Sequence, residues 1–268
     1  MYSSILSNRK EMFGNAVHST CGPDNPKNWN NKDRYLADFD YQYNEHGFRC
    51  DSFNVDSKLP ILFLGCSMTA GIGLPLKETW AYKIHQKIQT KKNIVIPFWS
   101  LAVGGSSIDL QSLYLLSIID IIKPKFVFLL MPPIVRRHVH LNNKKILYNP
   151  IKGLTFGSEK LTDKDQYIIQ KAQELLTNKD YIVFESTKAM MSIDVACDKY
   201  QTKIFYMCWD RITSTDTEFL DNVNSLKNFT QLSGILHTKD LARDGLHAGP
   251  KSHDEFVDYI WPQIEAMI

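Results

Sequence analysis

Ile61-Leu62-Phe63-Leu64-Gly65-Cys66-Ser67-Met68-Thr69-Ala70-Gly71-Ile72-Gly73 sets four apolar residues directly before a turn carrying three glycines. Four consecutive apolar residues suit a buried strand, and the glycines permit a sharp turn into a helix opened by Ser67. Beyond this stretch, short apolar runs alternate with longer amphipathic ones, the pattern of a parallel sheet covered by helices. Lys77 to Lys92 places Trp80, Ile84 and Ile88 at helical spacing. Ile94 to Leu101 reads as a second strand interrupted by Pro97, Ser107 to Ile122 as an apolar helix, and Phe126 to Met131 as a strand buried on both faces. Pro132-Pro133 stops that strand, and Arg136 to Asp163 reads as a long loop or small insertion. Asp163–Thr177 and Asp180–Lys199 are expected helices, Lys203–Met207 and Gly234–His237 strands, and Lys251–Ile268 a closing helix. The expectation is a three-layer α/β/α sandwich with a mostly parallel central sheet over residues 58–268. Residues 1–57, rich in Asn, Asp, Tyr and Arg, read as an irregular extension packed on it.

The composition fits one soluble domain. The chain has 268 residues, 44% hydrophobic and 22% charged, with a formal net charge of +2. A near-neutral balance argues against nucleic acid as the main partner, because such domains concentrate a basic excess on one face. No stretch approaches the roughly 18 apolar residues of a membrane span, and Met1 to Lys10 lacks a secretory apolar run, so cytoplasmic synthesis is expected. A virion component would read the same way, and oligomeric state is left open. Five scattered cysteines without a C-x-x-C pair fit reduced thiols, four of them as small buried hydrophobes.

In an open parallel sheet, ligands bind beyond the carboxyl ends of the strands. Ser67, just after the first strand, reads either as a helix cap or as a nucleophile. Near the C-terminus, Asp244-Gly245-Leu246-His247 sets a carboxylate three residues before an imidazole, so Asp244 can hold the ring while its other nitrogen faces a hydroxyl. After the second strand, Gly104-Gly105-Ser106-Ser107 offers backbone N–H groups to an oxyanion; a phosphate site is the rival, without a Gly-Lys-Ser/Thr ending. Arg136 and Arg137 lie past the third strand. A metal site built on Asp244 and His247 with His138 or His140 is a weaker alternative, and no metal is expected. Among five tryptophans, Trp209 is the candidate wall of a substrate cleft, with Trp209 to Asn224 as a polar loop over it.

These pieces in this order resemble the SGNH (GDSL-like) hydrolase superfamily over about Leu59 to Ile268. Asp244-Gly245-Leu246-His247-Ala248-Gly249-Pro250 and Phe63-Leu64-Gly65-Cys66-Ser67 carry the resemblance, and Asn44-Glu45-His46-Gly47-Phe48-Arg49 looks like the segment that precedes the nucleophile strand in many bacterial and phage relatives. The resemblance implies a flavodoxin-like sandwich and ester hydrolysis through an acyl-serine, often of O-acetyl groups on carbohydrate, without a cofactor. It implies Ser67 as nucleophile, His247 as general base then acid, Asp244 as orienting carboxylate, and the N–H groups of Ser67 and Gly105 as oxyanion donors. Two departures stand out. Cys66 replaces the usual Asp beside the nucleophile, and Met131-Pro132-Pro133-Ile134 lacks the Asn that supplies a side-chain oxyanion donor. Losing one such donor costs about 100- to 1000-fold in turnover. Arg136 is the candidate replacement, with Arg137 and Trp209 as substrate-binding residues. The leading expectation is a serine esterase on a small or glycan ester. A catalytically weak glycan-binding or virion structural module is the alternative, and a Cys66-dependent acyl transferase the third.

Overall fold

A computed structural model describes residues 10, 14–21, 24–26, 35, 38–53, 56–141, 144–149, 153–155, 162–164, 167–168, 170, 176–209 and 211–268. In chain order the elements are β1 (Val17–His18), β2 (Tyr41–Gln42), β3 (Ile61–Leu64), α1 (Ser67–Ala70), a 3-10 turn (Leu76–Glu78), α2 (Trp80–Lys92), β4 (Trp99–Ser100), α3 (Ile108–Ile122) and β5 (Phe126–Met131). There follow β6 (Arg137–Leu141), β7 (Lys144–Asn149), β8 (Gly153–Thr155), α4 (Lys179–Lys199), β9 (Lys203–Cys208), α5 (Arg211–Thr215), α6 (Thr217–Asn224), β10 (Phe229–Ile235) and α7 (Pro250–Glu265).

Five strands form one parallel sheet in the order β10-β9-β5-β3-β4. Successive side chains of a strand point to opposite faces, and that alternation builds the layers. Leu62, Leu64, Val127, Leu129, Ile204 and Tyr206 pack with residues of α3, α4 and α6 on one face. Ile61, Phe63, Phe126, Phe128, Phe205 and Met207 pack with α2 and α7 on the other. Both faces are therefore covered, which is why β3 and β5 are apolar throughout. The strand order reverses between β3 and β5. Chain leaving the carboxyl ends of β3, β4 and β5 thus converges on the place where α/β sheets bind ligands.

Several elements differ from expectation for identifiable reasons. The second strand shrinks to Trp99–Ser100: Pro97 has no N–H to donate, and Phe98 is paired with Asp51 of the extension, its N–H on the carboxylate at 2.8 Å. The helix expected from Lys77 begins at Trp80, because extended Thr79 caps it by accepting from Tyr82 N. Arg136–Asp163 contains an antiparallel meander, β6-β7-β8, the insertion rather than the long loop. Trp209–Asn224 is not a loop but carries α5 and α6, with Phe219 and Val223 wholly buried. The last strand starts at Phe229, five residues earlier than read, where it pairs with Ile204. The helix expected over Asp163–Thr177 falls largely outside the described residues, as do Trp29 and the side chain of His140. All five cysteines are free; Cys66, Cys197 and Cys208 are buried, Cys21 and Cys50 half-buried. No described helix is long and apolar enough to cross a membrane.

One buried histidine makes stability pH-dependent. His253 Nδ1 accepts the Trp80 N–H at 3.0 Å, tying the start of α2 to α7. Burial, reinforced by the nearby Lys83 charge, pushes its pKa down to about 3 from an ordinary 6.5. The unfolded chain therefore binds a proton between pH 6.5 and about 3 that the native state refuses. Stability is complete above pH 6.5 and falls by about 1.4 kcal/mol per unit below it. Urea unfolding at pH 7.5, 6.0 and 5.0 measures this slope, and H253Q should lose about one proton's worth. An equal slope in both proteins would contradict the assignment. His85, also lowered by burial, supplies part of the remaining slope.

Candidate active site

Ser67 opens α1 directly beyond β3, at 8% exposure, while its neighbour Cys66 is fully buried. The turn between β3 and α1 is tightly specified. Gly65 lies at φ 154°, and a side chain there would meet Thr69 Oγ1 at 2.1 Å and the Leu130 carbonyl at 3.0 Å. The Gly65 N–H donates to Gln111 Oε1, whose amide donates in turn to the Leu101 carbonyl. The Gly65 carbonyl accepts from Ser106 Oγ and Val103 N. Gln111 and Ser106 thereby fasten the Ser67 turn to the turn that bears Gly105. Neither the Ser67 nor the Gly105 backbone N–H has an acceptor among the described residues. Two uncommitted donors on turns fastened to each other can serve a developing oxyanion.

Asp244 and His247 meet as expected. His247 Nδ1 lies 2.5 Å from Asp244 Oδ2, and Asp244 Oδ1 accepts the N–H groups of Leu246 and His247 at 3.0 Å each. Burial alone would raise the Asp244 pKa; these hydrogen bonds outweigh it and hold the carboxyl below its usual range. Asp244 thus stays ionised and fixes Nδ1 as the protonated nitrogen, leaving Nε2 as the basic one. Gly73, six residues past Ser67, brings the two segments together. Its carbonyl accepts the Arg243 N–H, and a Cβ at this position, φ 80°, would stand 2.8 Å from Ala242 and 3.1 Å from Asp244 Oδ1. Ser67 and His247 are not hydrogen-bonded to one another in this state. Such bonds commonly tighten only when substrate arrives.

The extension braces this arrangement: the Asn44–Arg49 segment that sequence reading singled out does so together with Asp24, which it missed. Asn44 Oδ1 accepts from His46 N and Phe48 N, a local turn that drives Phe48 into the core. It also aims buried Arg49 at the carbonyls of Ala70, Gly71 and Leu74, the end of α1 and the turn after it. Asp24, wholly buried, pairs with Arg243 at 2.6 Å and accepts from Tyr41 Oη, which itself accepts the Gly73 N–H. Asp240 caps α7 through the N–H groups of Lys251 and Ser252.

The arginines past β5 separate. Arg137 does not face the cleft, correcting its expected substrate role: its buried guanidinium donates to the Ile182 carbonyl and Ser186 Oγ of α4. Arg136 lies instead on Trp209, with Cζ 5.6 Å from the ring centroid. Trp209 lines an open groove of about 640 Å³ with Ser214, Thr215, Leu236, His237 and Thr238, at the carboxyl ends of β9 and β10. A second cavity, of about 410 Å³ among Phe53, Pro60, Trp99 and Ile122, lies at the opposite edge of the sheet. His138 Nδ1 contacts Ser107 Oγ at the start of α3. Among the described residues, no group of three or more His, Cys, Asp or Glu could hold a metal ion.

No family model matches the sequence, and no curated protein matches it. Solved structures do resemble the fold. A catalytic mutant of an acetylxylan esterase from Geobacillus stearothermophilus superposes with a TM-score of 0.49 and 13% identity, over 78% of this chain and 95% of that one. The psychrotrophic esterase EstA from Pseudoalteromonas sp. gives 0.48 and 12%, over 77% and 97%. An α/β hydrolase enzyme from the metagenome of Lake Arreo gives 0.48 and 10%, over 81% and 100%. At such identities, catalytic roles have to be read from this chain's own geometry.

Proposed function

We propose that this chain is a serine esterase of the SGNH type, with Ser67 as nucleophile. The observation that carries the reading is the Asp244–His247 pair held against the Ser67 turn through Gly73. Ser67 Oγ adds to the ester carbonyl while its proton passes to His247 Nε2. Charge collects on the carbonyl oxygen, where the N–H groups of Ser67 and Gly105 receive it. The tetrahedral adduct collapses to an acyl-serine, and His247 returns the proton to the departing alcohol. Water, deprotonated by His247, then releases the acid. An O-acetylated carbohydrate is the substrate class we favour: the groove at the carboxyl ends of β9 and β10, the same end of the parallel sheet as the Ser67 turn, offers an aromatic wall at Trp209 and hydroxyls at Ser214, Thr215 and Thr238. The division into an extension, 1–57, and a hydrolase domain, 58–268, belongs to the same proposal.

The experiment is acetate release from acetylated xylan and from 4-nitrophenyl acetate by wild type and D244N. The amide keeps the Leu246 and His247 N–H bonds but favours the wrong imidazole tautomer, so turnover should fall by about 10⁴-fold. Equal rates would contradict the assignment. A second reading, a glycan-binding module of weak activity, draws on one observation: no amide side chain stands at residues 131–134. It predicts glycan binding without acetate release.

A further inference from the structure

We propose that the ester cleaved at Ser67 carries a carboxylate, and that Arg136 on its Trp209 platform recognises it. This rests on the esterase reading and names its substrate class more closely. Guanidinium groups elsewhere in the molecule are held by acceptors: Arg49 by three carbonyls, Arg243 by Asp24, and Arg137 by Ile182 and Ser186, with only its Nε left unpaired. Arg136 differs. Its Nε and Nη1 are buried and have no acceptor among the described residues, and the same holds for Trp209 Nε1. Both side chains are half-buried as whole residues; the three nitrogens themselves lie below the surface, and a ligand on the rim meets them when the Arg136 side chain turns outward.

These atoms are all donors. A guanidinium and an indole N–H have no acceptor to offer, so the ligand that satisfies them supplies acceptors only, and the fixed positive charge selects an anion over a neutral hydroxyl. The position is built rather than incidental. Arg136 N donates to the Pro133 carbonyl, closing the turn after β5, and Ile134 N donates to Thr213 Oγ1 of α5. Met131 pairs with Cys208, which sets Trp209 beside that turn. The indole ring holds the guanidinium carbon 5.6 Å from its centroid, within cation–π range. At about 4.8 Å between strands, the β5 and β9 ends stand roughly 5–10 Å along the rim from the Ser67 turn after β3. Arg136 and Trp209, on the chain leaving those two ends, share this rim with Ser67, and a carboxylate on the acylated sugar ring or on its neighbour is the anion they would meet there. The groove past Trp209 would hold the rest of the chain.

The test follows acetate release from acetylated polygalacturonate as the free acid and as its methyl ester, which share backbone and acetyl group while the ester caps the carboxylate with a neutral methyl. Wild type should show a higher kcat/KM for the acid, and R136Q should reduce the acid-to-ester ratio by about 10- to 100-fold, with R136K restoring part of it. Calorimetry of the deacetylated acid and its methyl ester against S67A protein reads the same preference without turnover. Its loss on adding R136Q to S67A is the expected result. No preference in wild type would overturn the proposal. So would an equal loss on both substrates, which would place Arg136 at the oxyanion instead. Absence of Ser67-dependent turnover of either form would overturn the esterase reading. In that event the calorimetry alone decides the carboxylate site: an Arg136-dependent preference upholds it, and none overturns it.

Discussion

S67A should lower kcat/KM for 4-nitrophenyl acetate by about 10⁴- to 10⁶-fold and leave the thermal melt in place. The size follows from the division of labour at the site. Removing the hydroxyl removes the covalent route altogether, and the two N–H groups with the bound substrate leave only residual acceleration. The fold should tolerate the change, because Ser67 Oγ makes no hydrogen bond among the described residues and the turn is held by Gly65, Gln111 and Ser106. C66A separates the neighbouring thiol from the reaction. Cys66 is fully buried behind the turn, so its loss should retain turnover, whereas a thiol-dependent transferase would lose it. A tenfold or smaller effect of S67A, measured on protein of unchanged melting temperature, would exclude the acyl-serine route.

The second large effect is on stability. D24A should destabilise the protein by about 3–5 kcal/mol, because it leaves the buried Arg243 guanidinium without its counter-charge. For a chain of this length that corresponds to a melting temperature lower by roughly 6–15 °C. The pair is 3% and 0% exposed at its two side chains, so solvent does not replace the lost partner. Arg243 precedes Asp244, and Tyr41 links Asp24 to the Gly73 N–H. D24N, which keeps an acceptor for Tyr41 and Arg243 but removes the charge, should fall between wild type and D24A. A scanning calorimetry trace for D24A within 2 °C of wild type would show the extension to be an appendage that contributes nothing to the site's framework.

Much of the sheet was legible because burial on both faces writes continuous apolar runs. Ile61–Leu64 and Phe126–Met131 have the bounds read from sequence, and α3 starts one residue past its cap, Ser107. Local chemistry was legible too: Asp244 and His247 are three residues apart and meet in one turn. What failed was long-range or depended on partners. Asp24 and Arg243 are 219 positions apart, and no spacing rule connects them. Gln111 looks like any polar residue on an apolar helix until the Gly65 N–H is placed against it. Arg136 and Arg137 are adjacent and chemically identical, and only the turn after Pro133 and the path of β6 send one to Trp209 and the other into α4. Thr217–Asn224 looked like a loop because its polar residues outnumber its anchors, yet Phe219 and Val223, four apart, are enough to bury one face.

The most direct test of the central claim is the intact mass of the folded protein after exposure to a fluorophosphonate, which reacts with a serine only when a neighbouring base activates it. One adduct on wild type and on C66A, and none on S67A, is the predicted result. No adduct on any of the three, or an adduct that survives S67A, would contradict the assignment of Ser67 as the activated nucleophile.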